Sequence, residues 1–145
     1  MCAGSVHHNA MSPVVCQQII TALRIIDGKQ GGELGRKKLE DLRSHANYFR
    51  RECKKMGLHV YGDYDSPVVP VLLYNPTKIL AFSRECFKRG LAVVVVGFPA
   101  TPVVLSRCRF CISAGHTRAQ LEDAVEKLKE VTELLKLRYA NSPFG

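Results

Sequence analysis

The sequence predicts a two-layer α/β sandwich, a short and mostly antiparallel sheet with helices packed on it. Three observations predict it. Four segments place apolar residues at helical spacing, and four short β-rich runs lie between them, bounded by Gly, Pro, Asn and Asp. The order is helix, helix, strand, strand, helix, strand, strand, helix. It segregates helices from strands instead of alternating them one for one.

Each element has a local cause. Ser12-Pro13 reads as an N-cap followed by proline at the first helical position. Val15, Ile19, Ala22, Leu23 and Ile26 then mark an apolar stripe, and Asp27-Gly28 stops the helix. Gly28 to Gly32 is a loop. Leu39, Leu42, Ala46, Phe49, Cys53 and Met56 predict a longer helix of more than five turns, with Gly57 in the position after its end. Leu58 to Tyr61 reads as a short strand and Asp63 to Pro67 as a turn. Val68 to Tyr74 is a second strand, in which Pro70 argues for an edge or bulged position. Asn75-Pro76 opens a third helix that runs to about Arg89 and closes at Gly90. Leu91 to Val96 is a continuous β-branched run, predicted to be a buried strand. Arg107 to Ser113 is the last strand. Thr117-Arg118-Ala119-Gln120 is a capping box that starts a final helix carrying Leu121, Ala124, Val125, Leu128, Val131, Thr132 and Leu135 on one stripe.

Composition narrows the class. A chain of 145 residues is one domain on the usual size prior and long enough for a sizeable core. With 46% hydrophobic and 23% charged residues it is globular in composition. The longest nearly apolar run, Leu91 to Ala100, is too short to span a bilayer, which needs about 20 residues. The first ten residues lack a basic region and a long apolar core, so they do not read as a signal peptide. Most of the six cysteines sit in apolar patterns, which implies a reducing compartment. Cys108 and Cys111 are three apart on a strand and point to opposite faces, so no metal or redox pair is expected there. His7-His8 lacks an acidic or Cys partner nearby, and no metal site is expected. The net charge of +8 is compatible with nucleic acid, acidic lipid headgroups, an acidic cofactor or an acidic partner. The clusters Arg36-Lys37-Lys38 and Arg50-Arg51…Lys54-Lys55 read as a solvated helix face. No aromatic RNA-recognition signature accompanies the charge, and no nucleic-acid partner is expected.

One constellation could carry chemistry. On the strand from Arg107 to Ser113, Arg107, Arg109, Cys111 and Ser113 share one face, while Cys108, Phe110, Ile112 and Ala114 share the core face. Two guanidinium groups one pleat apart suit bidentate capture of a carboxylate. A structural ion pair is the plainer alternative. Gly97-Phe98-Pro99-Ala100-Thr101-Pro102 cannot continue the preceding strand, and its two prolines stiffen a loop of the kind that often lines a site. His116, just before the last helix cap, is a candidate acid or base or a structural histidine. Tyr61, Tyr64 and Tyr74 read as interior or turn residues.

These stretches, Gly97 to Pro102 and Arg107 to Thr117, resemble the α-oxoamine synthases, a pyridoxal-phosphate-dependent group. Within it they are similar to the serine palmitoyltransferase family. Met11-Ser12-Pro13-Val14, Gln17 to Ile20, Asn47 to Arg50, Met56-Gly57, Asp65 to Pro70, Leu73 to Pro76 and Val93 to Pro102 carry the likeness too, which runs from about Met11 to Tyr139. The family usually has a second proline where Val14 stands. The resemblance implies the small C-terminal domain of the aminotransferase-like fold over 12–139, after a loop or disordered N-terminus at 1–11 and before a tail at 140–145. It implies condensation of L-serine with palmitoyl-CoA to 3-ketosphinganine, with pyridoxal 5'-phosphate as cofactor. By resemblance Arg109 holds the amino-acid carboxylate, and Arg107 is a second candidate for substrate contact. Pro99, Ala100, Thr101 and Pro102 match the mobile loop that approaches the substrates.

The resemblance further implies a heterodimer with the non-catalytic long-chain-base subunit. It implies a place on the cytosolic face of the endoplasmic reticulum membrane, held by parts outside this chain. The family's cofactor lysine lies upstream of the matched region, and no lysine here has its Ser/Thr-rich strand-end setting. The chain by itself is therefore expected to be inactive. The alternative is a non-catalytic truncated paralogue, an interaction or regulatory partner of the synthase complex. A basic nucleic-acid module is a third reading.

Overall fold

The computed structural model describes residues 10–139. Most of the loop at 1–11, the histidine pair and the tail at 140–145 lie outside the described residues. The chain forms two compact units, Met1–Glu40 and Asp41–Gly145.

In the first unit, α1 is Pro13–Ile26, with proline in its first turn. Ser12 precedes it but makes no side-chain capping bond. The stripe of Val15, Ile19, Leu23 and Ile26 is exposed, and α1 has no buried residue. Gly28, Gly31 and Gly32 have positive φ and turn the chain into α2, Leu34–Lys55. Gly35 is required where it stands: a Cβ there would meet the Ile25 carbonyl oxygen at 2.2 Å. Leu39, at the start of the α2 stripe, is exposed.

The second unit holds the core. Farther along α2 the stripe is buried through Ala46, Phe49 and Cys53. Gly57, at φ 81, ends the helix and lets the Leu58 amide reach back to the Cys53 carbonyl at 3.2 Å. The strands are β1 (His59–Val60), β2 (Val68–Leu72), β3 (Val94–Val96) and β4 (Arg107–Cys111). They form one antiparallel sheet in the order β1-β2-β4-β3. Helix α3, Pro76–Lys88, starts at an Asn75 cap whose side chain accepts from the Thr77 amide at 2.9 Å. Helix α4, Arg118–Leu134, starts at the capping box: Gln120 accepts from the Thr117 amide at 2.9 Å and donates its own amide to Thr117 Oγ1 at 3.3 Å.

One face of the sheet is buried. Val69, Val71, Cys108 and Phe110 form a cluster with Phe49 and Cys53 of α2, Ile79, Phe82 and Cys86 of α3, and Leu121, Leu128 and Val131 of α4. Phe110 is the hinge of this core, with its ring 5.0 Å from Phe49 and 6.4 Å edge-on from Phe82. The fold is the α/β architecture expected, with a sheet that is antiparallel throughout.

Three expectations are corrected. The run Leu91 to Val96 is not a buried strand. Only Val94–Val96 pairs, it forms the sheet edge, and Val94 is 48% exposed. A β-branched run alone does not separate a central strand from an edge, because that depends on which strand lies beside it. Pro70 is neither at an edge nor in a bulge; it stands inside β2, opposite Arg109 in unbroken register. It is tolerated because its carbonyl accepts from the Tyr61 amide at 2.9 Å, so its missing N–H faces the same side, beyond the end of the two-residue β1. Arg50 is not on a solvated face but fully buried. Its guanidinium donates to the Tyr61 carbonyl, which Pro70 leaves without a strand partner. It also donates to the carbonyls of Gly62 at 3.0 Å, Val68 at 3.2 Å and Ser66 at 3.4 Å.

Candidate functional site

The second sheet face is the one away from the core cluster; on it Leu72 is fully buried, while Val94 and Arg109 are exposed. Two cross-strand rows define it. His59 lies opposite Leu72, Leu72 opposite Arg107, and Arg107 opposite Val96. Pro70 lies opposite Arg109, and Arg109 opposite Val94. Tyr61 joins the second row through its amide bond to Pro70. Cross-strand neighbours share a face, so both arginines stand on the face away from the core cluster, with His59, Tyr61 and the buried Leu72.

The alternation read from the sequence holds along β4: Cys108 and Phe110 are buried, while Arg109 and Cys111 are exposed and Arg107 is half-buried. The strand ends at Cys111, two residues earlier than expected, although the Ile112 amide still bonds the Pro67 carbonyl at 3.0 Å. Among the described residues neither Arg107 nor Arg109 pairs with a carboxylate, whereas Arg43, Arg89, Arg118 and Arg138 each do. The structural ion pair therefore finds no support there.

The loop after β3 is rooted beside Arg107, because Val96 is its cross-strand partner. The Thr101 amide closes onto the Gly97 carbonyl at 3.2 Å, and the Phe98-Pro99 peptide is cis. Pro99 and Ala100 are exposed, Pro102 is exposed, and Thr101 is buried with no hydrogen-bond partner for its hydroxyl. A 3-10 turn, Val103–Leu105, leads back to Ser106 and β4. Arg107, Arg109 and the loop are thus brought together at one end and one face of the sheet.

His116 is elsewhere. Its Nδ1 accepts from the Ser113 amide at 3.1 Å, and its own amide donates to the Ser113 carbonyl at 3.2 Å. The ring thereby closes the turn between β4 and α4. It also borders a cavity of about 370 Å³ lined by Phe49, Leu91, Val93 and Phe110, at the end of β4 away from the loop.

Sequence reasoning missed the pair formed by His59 and Tyr74. The Tyr74 hydroxyl bonds His59 Nδ1, and burial holds the Tyr74 hydroxyl above its usual pKa. Tyr74 has φ 54, rare for a non-glycine residue, and the following Asn75 amide bonds back to the Leu73 carbonyl. No sequence signal marks it beyond the Asn-Pro that follows. Tyr61 and Tyr64 are exposed turn residues, not interior ones.

All ten lysines sit on helices or in turns. Lys29, Lys55, Lys88 and Lys127 are paired with neighbouring carboxylates, and Lys78 bonds the Lys136 carbonyl at 3.2 Å. None of the ten is on a strand. Among the described residues no cluster of His, Cys, Asp and Glu could hold a metal, and no helix is long and apolar enough to cross a membrane.

The chain belongs to the aminotransferase class I and II family, whose pattern it matches over residues 2–128. Within that class its relatives are particular ones. It is 49% identical over 138 residues to long chain base biosynthesis protein 2a of Oryza sativa subsp. japonica, covering 95% of this chain and 28% of that protein. It is 47% identical over 136 residues to serine palmitoyltransferase 2 of Dictyostelium discoideum, covering 94% of this chain and 28% of that protein. A solved serine palmitoyltransferase from S. paucimobilis, with a bound PLP–myriocin aldimine, superposes with a TM-score of 0.67 at 26% identity, over 72% of this chain and 26% of that one. The chain spans little more than a quarter of the length of these curated relatives.

Proposed function

We propose that this chain is the C-terminal part of a serine palmitoyltransferase catalytic subunit, the enzyme that joins L-serine to palmitoyl-CoA and releases CO2 and CoA to give 3-ketosphinganine. The observation that carries the reading is Arg109, exposed on the sheet face away from the core cluster without a carboxylate among the described residues, in a chain with a relative that bears that name. Its planar fork of donors binds the amino-acid carboxylate in two parallel bonds and fixes its orientation. Arg107, one pleat away at the loop root, is the second contact. Pro99 to Pro102 approach the bound substrates as a unit, and the unpartnered Thr101 hydroxyl supports a loop whose partners arrive with them.

The cofactor of the complete enzyme is pyridoxal 5'-phosphate, which supplies an electron sink when bound. It is seated by residues other than these, and the chain alone is inactive. In the complete enzyme the subunit pairs with a non-catalytic long-chain-base subunit at the cytosolic face of the endoplasmic reticulum membrane. The lysine placement also favours a second reading, a non-catalytic paralogue that acts on the synthase complex as an interaction partner.

Two experiments test this. Incubation of the chain with pyridoxal phosphate, borohydride reduction and mass spectrometry should give no specific lysine adduct; one specific adduct would overturn the inactive-alone reading. The chain should also restore condensation when it replaces the matching segment of the rice relative. Arg109→Leu in that chimera should lower kcat/KM for L-serine about a hundredfold, the loss of a charge-assisted bidentate pair. An unchanged kcat/KM removes Arg109 from the site, and an inactive but folded chimera favours the paralogue.

A further inference from the structure

The cavity of about 370 Å³ lies where β3 begins and β4 ends, beside the first turn of α4. Its wall is apolar: Phe49 of α2, Leu91, Val93, Phe110 of β4 and Leu121 of α4. Phe49, Phe110 and Leu121 belong to the core cluster, so the cavity reaches the core. The chain does not fill it because other side chains around it are short. Gly90, Ala92 and Ala124 line it, and a Cβ at Gly90 would meet nothing within 4 Å. Protein interiors close-pack and keep few voids larger than a water molecule. A space of this size falls instead in the range of small-molecule sites, about 300–1,000 Å³. The larger concave surface, of about 780 Å³, is lined mostly by charged side chains, among them Glu52, Lys55, Glu126 and Lys129.

The polar groups at its rim decide the ligand. His116 Nδ1 accepts from the Ser113 amide at 3.1 Å, so the ring carries its proton on Nε2 and offers it as a donor. Gln120 Oε1 accepts from the Thr117 amide at 2.9 Å, which leaves the Gln120 NH2 group as a second donor. The rim carboxylate, Asp123, is held by Lys127 at 2.6 Å. Both donors stand at the start of α4, where the helix dipole also favours negative charge. We infer that this cavity is a further binding site, for a small monocarboxylic acid with an apolar body. The body lies against Phe49, Phe110 and Leu121, and the carboxylate accepts from His116 Nε2 and Gln120. Arg109 is on the other face of β4, so the site does not rest on the substrate role proposed for that arginine.

The test is an amide-resolved NMR titration of the full chain with phenylpropionate. The amides of Leu91, Ile112 and His116 should shift and saturate, with a Kd of about 1 mM or tighter. Phenylpropanol should bind about tenfold more weakly, because a carboxylate accepts charge-assisted bonds and a hydroxyl does not. Phenylpropylamine should bind no better than the alcohol. His116→Phe should erase the preference for the acid over the alcohol. Ala92→Phe, at an exposed position on the cavity wall, should abolish binding of both. Ala119→Phe, exposed on α4 outside the cavity, should leave both unchanged. Five results overturn the inference: no saturable shift, shifts centred on Arg107 and Arg109, wild-type binding by Ala92→Phe, an equal loss in Ala119→Phe, or an amine that binds as tightly as the acid. The last would put Asp123 at the head of the ligand. Serine kinetics of the Arg109 chimera are read separately, so failure there would leave this site standing.

Discussion

Replacing Arg50 by methionine should destabilise the protein by about 3 kcal/mol. The substitution keeps the long aliphatic stem and the helix propensity and removes the guanidinium. Four carbonyls then lose their donor: those of Tyr61 and Gly62 after β1, and of Ser66 and Val68 at the start of β2. A carbonyl left unsatisfied away from water costs about 1–3 kcal/mol. The contact to Ser66, at 3.4 Å, is long and contributes little. The loop is only partly buried, so water can reach some of the others. Two carbonyls left without a partner give about 2–6 kcal/mol, and release of the guanidinium's own desolvation cost brings the sum toward the lower half.

That loss is a large share of the about 5–15 kcal/mol that stabilises a typical domain. Urea unfolding followed by circular dichroism measures it: with a slope of about 2 kcal/mol per molar, the midpoint should fall by about 1.5 M at unchanged slope. Arg51→Met, at the exposed neighbouring position of the same helix, is the control and should shift stability by less than about 0.5 kcal/mol. Equal midpoints for the two variants would refute the argument that the buried guanidinium holds the β1–β2 connection.

Other outcomes follow from the same geometry. Thr117→Ala removes one half of the capping box of α4 and should cost about 1 kcal/mol in the same urea assay. Gly35→Ala places a Cβ 2.2 Å from the Ile25 carbonyl oxygen, so it should disrupt the α1–α2 connection, seen as faster proteolysis between Asp27 and Glu33. In thiol labelling of the native protein, exposed Cys111 should react at once, while Cys53, Cys86 and Cys108 should react only on unfolding. Burial pushes the Cys86 thiol from 9.0 up to about 12 and raises those of Cys53 and Cys108 as well. Their protonated forms therefore contribute stability that is whole below the unfolded value of 9.0 and is lost as pH rises toward about 12. Urea midpoints should fall between pH 9 and 11, and less steeply in Cys86→Ala; an unchanged slope would remove the thiol from that loss.

Much of the fold was legible because its determinants are local. The caps at Asn75 and Thr117, the stop at Gly57 and the alternation along β4 depend on residues within a few positions of each other, and the structure has them where the spacing puts them. The placement of Arg107 and Arg109 on one face follows from the two-residue period of a strand and needs no partner. What could not be read was whatever a distant segment decides. Pro70 looked like an edge residue because a strand interior needs its N–H, but β1 is too short to ask for it. Arg50 looked like one more cation in a basic run until the carbonyl that Pro70 leaves unpaired, eleven residues along the chain from Arg50, was found on its guanidinium.

The sequence by itself determined the element order, the helix ends, the two faces of β4 and the likeness that Gly97–Pro102 and Arg107–Thr117 carry, since each is written in contiguous residues. Only the tertiary structure decided the strand order, which leaves Val94–Val96 at an edge and sets the loop root beside Arg107. It also decided which sheet face the core residues of α2, α3 and α4 pack on, and hence that both arginines stand on the other one. Burial is a property of what packs against a residue, and that partner lies far away along the chain.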